Sequence, residues 1–295
     1  MMKKILIIGL ILNLSSTTLA GTLNIGSINT EPADEIKKFL PLATYLATQL
    51  QSEGVNEGKV VVVKDIHQMA AFLKEGKVDV YVDSSFPSLA VSYLSGSKLL
   101  LRRWKKGLAE YHSVLFVRQD SGIQNLKDIM GKTIGFEEAF STSGYYLPKI
   151  ILVKGGLKLV PKKSELEPVK PNEVGYIFTG DDENTMVWVL RKKIVAGAID
   201  NQNYVNMAKE KLGELKIIQK TFSIPRQVVS TRADLPPNFA TKIKEALVKA
   251  DQSEEGKKFL RAFEMTTKFD EIPPNSLTPL TESKEFIKAT FGIKE

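Results

Sequence analysis

Runs of strand length alternate with amphipathic stretches of helical length through most of this 295-residue chain, and that order limits the fold more than any other feature. TLNIGSIN alternates apolar and polar positions (Leu23, Ile25, Ile28) and predicts an opening strand. From about Ala33 to Gln51, the residues Ile36, Leu40, Ala43, Leu46, Ala47 and Leu50 recur on one helical face. VVVV at 60–63 reads as a buried strand, HQMAAFLKEG as a helix closed by Gly76, and VDVYV at 78–82 as the next strand. Strand, helix, strand, helix, strand predicts an α/β domain with a largely parallel sheet, because parallel neighbours need a crossover long enough to hold a helix.

EYHSVLFVRQD is an extended run long enough to leave one domain and enter another. After it, KTIGF, a helix through about Lys154, YIFTG, ENTMVWVLRKK and VAGAID repeat the alternation. FSIPRQVVSTRADLP reads as a second crossing, after which helices near 237–251 and 253–264 pack back on the first domain. Two extended crossings between two α/β halves predict a hinged molecule with its cleft at strand C-termini and helix N-termini. The lobes so implied are residues 21–114 with 225–295, and residues 115–224. KKSELEPVKPNEV is a proline-bearing surface loop.

The first twenty residues follow another logic. Lys3 and Lys4 precede the apolar run ILIIGLILNL, and a small, polar stretch ends at Thr18, Leu19 and Ala20. That order predicts a cleavable signal peptide over residues 1–20 and export to a periplasm. A membrane anchor is the alternative, but the run is half the roughly 20 residues that span a bilayer. Without cysteine there is neither a lipid-modified cysteine at the cleavage site nor a disulfide framework. Losing Lys3 and Lys4 from 41 basic side chains leaves 39 against 34 acidic ones. That mild excess is compatible with an anionic ligand.

AFSTSGYYLP, at 139–148, concentrates poor helix formers that are good caps. Pro148 belongs in a helix's first turn, so the helix begins near Ser143 or Gly144. Ser141, Thr142 and Ser143 then sit at its N-cap beside unpaired N–H groups, and Gly144 permits close approach of a ligand to the backbone. One cap needs one hydroxyl. Three make an oxyanion cradle.

STSGYYLP resembles the anion-binding signature of the phosphonate, phosphite and phosphate substrate-binding proteins of ABC transporters. PLATYLATQL, EGKVDVYVDSSFPSLAV, YHSVLFVRQDSGIQNLKDIMGKTIGF, TGDDENTMVWVL and AGAID follow the same order, up to about residue 232. The resemblance implies a type II-like, two-lobed periplasmic binding fold, each lobe a mixed, mostly parallel sheet flanked by helices. It implies capture of a small anionic or zwitterionic ligand and delivery to an ABC permease, by a monomer without cofactor, metal, nucleic acid or catalysis. It assigns the ligand's oxygens to Ser141, Thr142 and Ser143, and the facing lobe's contribution to Ser84, Ser85 and Phe86. Where the family often carries Gly-x-His-Asp, this chain reads Gly180, Asp181, Asp182, Glu183, with Asp182 in histidine's place. An acid there repels a plain dianion unless it is protonated or paired with a ligand amine. Asp200, ending the AGAID strand, is a second candidate for that cationic end. A solvated loop that caps the ENTMVWVL helix is the other reading of these acids. A binding module that presents its closed form to a membrane histidine kinase is the alternative output.

Other signals carry less. Gly131-Lys132-Thr133 lacks the glycine a P-loop needs, since Leu126 stands there. His67 and His112 are the only histidines, too few for a metal centre. His67 reads as structural; His112, beside Tyr111 on the first crossing, is placed to face the cleft. Arg102-Arg103-Trp104-Lys105-Lys106 reads as a solvated or docking face.

Overall fold

The computed structural model describes residues 21–209 and 213–293, so the expected signal peptide lies outside the described residues. The strands are β1 (Thr22–Ile28), β2 (Glu57–Val63), β3 (Val80–Ser84), β4 (Lys98–Lys105), β5 (Glu110–Tyr111), β6 (Ser113–Arg118), β7 (Thr133–Phe136), β8 (Leu159–Pro161), β9 (Val174–Phe178), β10 (Ala196–Asp200), β11 (Leu215–Lys220), β12 (Ile224–Pro225), β13 (Gln227–Thr231) and β14 (Thr266–Asp270). The helices are α1 (Pro32–Gln49), α2 (Ile66–Lys74), α3 (Ser85–Ser95), α4 (Leu147–Lys154), α5 (Asp182–Leu190), α6 (Asn201–Ala208), α7 (Pro237–Val248), α8 (Glu254–Ala262), α9 (Thr278–Thr281) and α10 (Lys284–Phe291).

Two six-stranded sheets result, ordered β14-β4-β13-β3-β1-β2 and β11-β6-β10-β7-β9-β8. Both are mixed and flanked by helices. In the second, parallel pairs (β10 with β7, β7 with β9, β9 with β8) outnumber antiparallel ones, as expected. The first departs from a mostly parallel sheet. The returning strand β13 enters antiparallel between β3 and β4, and β14 adds a further antiparallel edge.

The two crossings meet. β5 and β12 form a short antiparallel ribbon, Tyr111 opposite Ile224 and Glu110 opposite Pro225, separate from both sheets. His112 interrupts the first crossing, so the expected long strand is two, β5 and β6.

Apolar faces explain the layers. Phe39, Leu42 and Leu46 of α1 pack with Ile243, Leu247 and Phe259 of α7 and α8 on one face of the first sheet. On the other face Met69, Phe86 and Leu89 run into Leu115, Phe136, Tyr146 and Ile150 of the second lobe, one core spanning both sheets. Met186, Val189 and Tyr204 of α5 and α6 cover the remaining face. The segment 102–106 is no solvated face: it ends β4, and Arg103 is fully buried, hydrogen-bonded to Thr266, Gln227, Glu264 and the Phe263 carbonyl.

Candidate ligand-binding cleft

STSG does start a helix, one or two residues earlier than expected and with wider geometry. Ser141 is the N-cap; its hydroxyl accepts the Gly144 N–H at 2.9 Å and donates to Glu137 Oε2 at 2.5 Å. Residues Thr142–Tyr146 form a π-helical turn, with the Tyr146 N–H on the Ser141 carbonyl at 3.0 Å, and α4 follows directly with Pro148 in its first turn. A Cβ on Gly144 would lie 2.3 Å from Glu137 Cβ and 2.5 Å from Glu137 Oε2. Glycine here makes room for Glu137, not for a ligand. Gly144 is not on the cleft wall.

A cleft of about 310 Å³ opens between the sheets, lined by Ser84, Tyr111, Ser141, Thr142, Ser143, Asp182 and Asp200 among the expected residues. Thr142 reaches across it, its hydroxyl donating to Ser84 Oγ at 2.8 Å. Ser85, Phe86 and His112 do not line it. Ser85 donates to the Pro225 carbonyl at the ribbon. Phe86 stacks on Tyr146, ring centroids 3.9 Å apart, joining the lobes through packing. His112 holds α6 through backbone bonds with Asn201.

Seven carboxylate and four cationic side chains line the cleft: all four cations lie on the first lobe with Glu35, Asp83 and Glu264, and the second lobe contributes acids alone. Glu137, Asp182 and Asp200 come from the second lobe, where they crowd one another. Burial, reinforced by Glu137, Asp200 and Asp181 and opposed by an Asn203 amide donating at 2.6 Å, pushes the Asp182 carboxyl up to about 8. Glu137 rises to about 7, again through burial, with Glu138 and Asp200 adding to it. Asp182 Oδ1 is buried with no hydrogen-bond partner among the described residues. Asp181, not Asp182, caps α5, accepting the Asn184 N–H at 2.6 Å. The capping alternative therefore belongs to the neighbour, leaving Asp182 in the first turn with its side chain on the cleft. Asp200 does cap, but it caps α6.

The opposite pole was missed in the sequence. Arg226, between β12 and β13, is 7% exposed; its guanidinium lies 4.9 Å from the Tyr111 ring centre and its Nη2 3.7 Å from Asp200 Oδ2. Arg226 Nη1 has no hydrogen-bond partner among the described residues. Burial holds the Tyr111 phenol well above its usual range although Arg226 and the Thr142 and Ser143 hydroxyls pull it down, so it remains a donor. Lys105, Gln227 and Glu264 extend this wall. The signal was present as the Arg in SIPRQVV. A single basic residue in a strand carries no spacing, and only the ribbon's closure brings it to Tyr111 and Thr142. Among the described residues no group of three or more His, Cys, Asp or Glu is placed to hold a metal.

Known proteins resemble this arrangement. The family described as ABC transporter, phosphonate, periplasmic substrate-binding protein matches residues 25–276. The chain is 31% identical over 188 residues to the tetrathionate sensor histidine kinase TtrS of Salmonella typhimurium, covering 61% of this chain and 29% of the kinase. It is 23% identical over 286 residues to the phosphonates-binding periplasmic protein of Escherichia coli, covering 92% and 80%. The solved structure of XAC2383 from Xanthomonas citri bound to ATP superposes with a TM-score of 0.85 at 25% identity, covering 94% of this chain and 100% of that one.

Proposed function

The chain belongs to the periplasmic substrate-binding proteins of phosphonate ABC transporters, and from that premise we propose that it captures a small zwitterionic oxyanion, an aminoalkyl phosphonate or close relative, for import. One observation carries the reading: Arg226 Nη1 and Asp182 Oδ1 are buried, without hydrogen-bond partners among the described residues, on the wall of the same cleft. Unpaired buried polar atoms are costly, and a ligand bearing an anionic head and an ammonium relieves both costs at once. Thr142, Ser143 and Tyr111 supply hydroxyl donors to the head beside Arg226. Ser84 meets Thr142 from the first lobe, and Asp182 with Asn203 receives the amine. A plain dianion leaves Asp182 unserved.

Capture is a hinge motion of residues 21–114 with 225–295 against residues 115–224 about the β5–β12 ribbon, and ligand contacts from both sides favour the closed state. No bond is made or broken. The protein acts as a monomer, exported through a signal peptide cleaved after Ala20, and its closed form docks on an ABC permease. No helix among the described residues is long and apolar enough to cross a membrane.

The likeness to a sensor kinase supports a second output, in which the closed form signals to a membrane kinase. Reconstitution separates them: stimulation of a permease's ATPase by liganded protein supports import, and stimulation of kinase autophosphorylation alone supports sensing.

The ligand class is tested by a thermal-shift screen of purified protein against phosphate, phosphite, methylphosphonate, aminoethylphosphonate and sulfate. A ligand at about one hundred times its Kd adds about 2.7 kcal/mol. Aminoethylphosphonate should give the largest shift. Sulfate giving the largest, or no compound giving any, contradicts the reading.

A further inference from the structure

The basic run at 102–106 ends at the cleft, and its geometry there is costly. Glu264 and Met265 follow one another with φ of 49° and 56°, and Lys106 has φ of 53°; none is glycine. The two turns are tied, with the Lys106 N–H on the Met265 carbonyl at 3.0 Å. Left-handed backbone at three side-chain-bearing positions persists only where surrounding structure demands it, and it concentrates at functional sites. What this strain delivers is Glu264. Its carboxylate, 19% exposed, faces the cleft and binds Lys105 Nζ at 2.7 Å and Arg103 Nη1 at 3.1 Å.

Two carboxylates meet three cations here, Asp200 lying 3.7 Å from Arg226 and Glu264 holding the other two. Arg103, Lys105 and Arg226 lie close enough for Arg226 to depress both of the others, and Glu264 serves two of the three. Arg103 is spent internally, on Thr266, Gln227 and the Phe263 carbonyl. Lys105 has only Glu264 among the bonds above and stands on the cleft wall with its stem packed away, 21% exposed.

We propose that Lys105, positioned by Glu264 on its strained turn, is a specificity-determining contact that reads the second negative charge of the ligand's anionic head. The inference rests on the solute-binding reading and deepens it. Arg226 with the hydroxyls of Tyr111 and Thr142 satisfies a singly charged head. A second cation beside Arg226 on the first lobe favours a doubly charged one, as on a phosphonate or a phosphate monoester, over a sulfonate. The Glu264 carboxylate shares its two oxygens between Arg103 and Lys105, so it fixes the ammonium without cancelling the pole.

Calorimetric titration of the full-length protein with methylphosphonate and methanesulfonate, at a pH where the phosphonate is doubly ionised, tests this. Wild type should prefer methylphosphonate. Lys105→Met should weaken methylphosphonate about tenfold or more, the loss of one charge-assisted hydrogen bond, and change methanesulfonate little; Lys105→Arg should keep most of the preference. Glu264→Gln, with Lys105 intact but unheld, should lower the phosphonate-to-sulfonate ratio as well. If Lys105→Met does not fold, Lys105→Gln carries the same expectation. Equal losses for both ligands in the folded Lys105 variant, or none, overturn the role of Lys105 and leave the cleft's function standing. Binding of neither anion by wild type, with no binding of aminoethylphosphonate either, overturns the underlying reading as well.

Discussion

Thr142 presents its hydroxyl to Ser84 across the cleft at 2.8 Å, while Ser141 is committed to Gly144 and Glu137. Thr142→Ala should weaken ligand binding by about 1–3 kcal/mol, the range for a hydrogen bond to a charged group, and leave the melting temperature of the free protein nearly unchanged. Ser141→Ala should do the reverse, costing stability of order 1 kcal/mol as a lost cap. Calorimetry and thermal denaturation of the two variants check the pair. The acids give a prediction with a definite sign. Asp182 at about 8 and Glu137 at about 7 hold protons far more tightly than in the unfolded chain, where carboxyls titrate near 4. The folded protein therefore binds more protons than the unfolded one between those limits, and stability of the free protein falls as pH rises from about 4 to about 8. Asp182→Asn should flatten that slope and be the more stable form at pH 8, by urea denaturation. An unchanged slope would show that Asp182 does not titrate as described. Residue identity carried much of this wall in the sequence, since Ser141, Thr142, Ser143 and Asp182 are recognisable as a motif and a departure from it. Arg226 and Lys105 were not, because a cation within a strand has no pattern to mark which way it faces.

Elements explain which of the readable residues reach the cleft. The predicted helix after STSG exists, but as a π turn leading into α4, and that extra width places Thr142 and Ser143 rather than Gly144 on the cleft. Gly144→Ala should therefore act through Glu137, whose Cβ would be 2.3 Å from the new methyl. Overpacking of this kind costs about 1–3 kcal/mol, and the ligand affinity should fall with it; wild-type stability in that variant would contradict the packing role. Ser85 and Phe86 show the converse limit. Their position after β3 was readable, but α3 starts at Ser85, so its first turn rotates Ser85 onto the Pro225 carbonyl and Phe86 onto Tyr146, leaving Ser84 alone on the cleft. One-residue differences in where a helix begins decide such facing, and periodicity does not resolve them.

At the scale of the molecule, the two α/β halves and two crossings were legible because strand and helix periods differ and alternate along the chain. The order of strands was not. β13 inserting between β3 and β4, and β14 adding an edge, depend on contacts between residues more than 100 apart in sequence, and these leave no local trace. The same long-range closure builds the bipolar cleft, with acids from the second lobe facing Arg226 and Lys105. The most direct measurement of that polarity is the ratio of affinities for aminoethylphosphonate and methylphosphonate, by calorimetric titration of wild type and Asp182→Asn. Wild type should prefer the amine-bearing ligand, whose ammonium favours the ionised Asp182 carboxylate over the protonated form of the free protein, and the substitution, which keeps shape but cannot ionise, should collapse the preference chiefly by weakening aminoethylphosphonate. Affinities for both ligands shifting by the same factor would show that Asp182 does not read ligand charge, and would contradict the bipolar cleft.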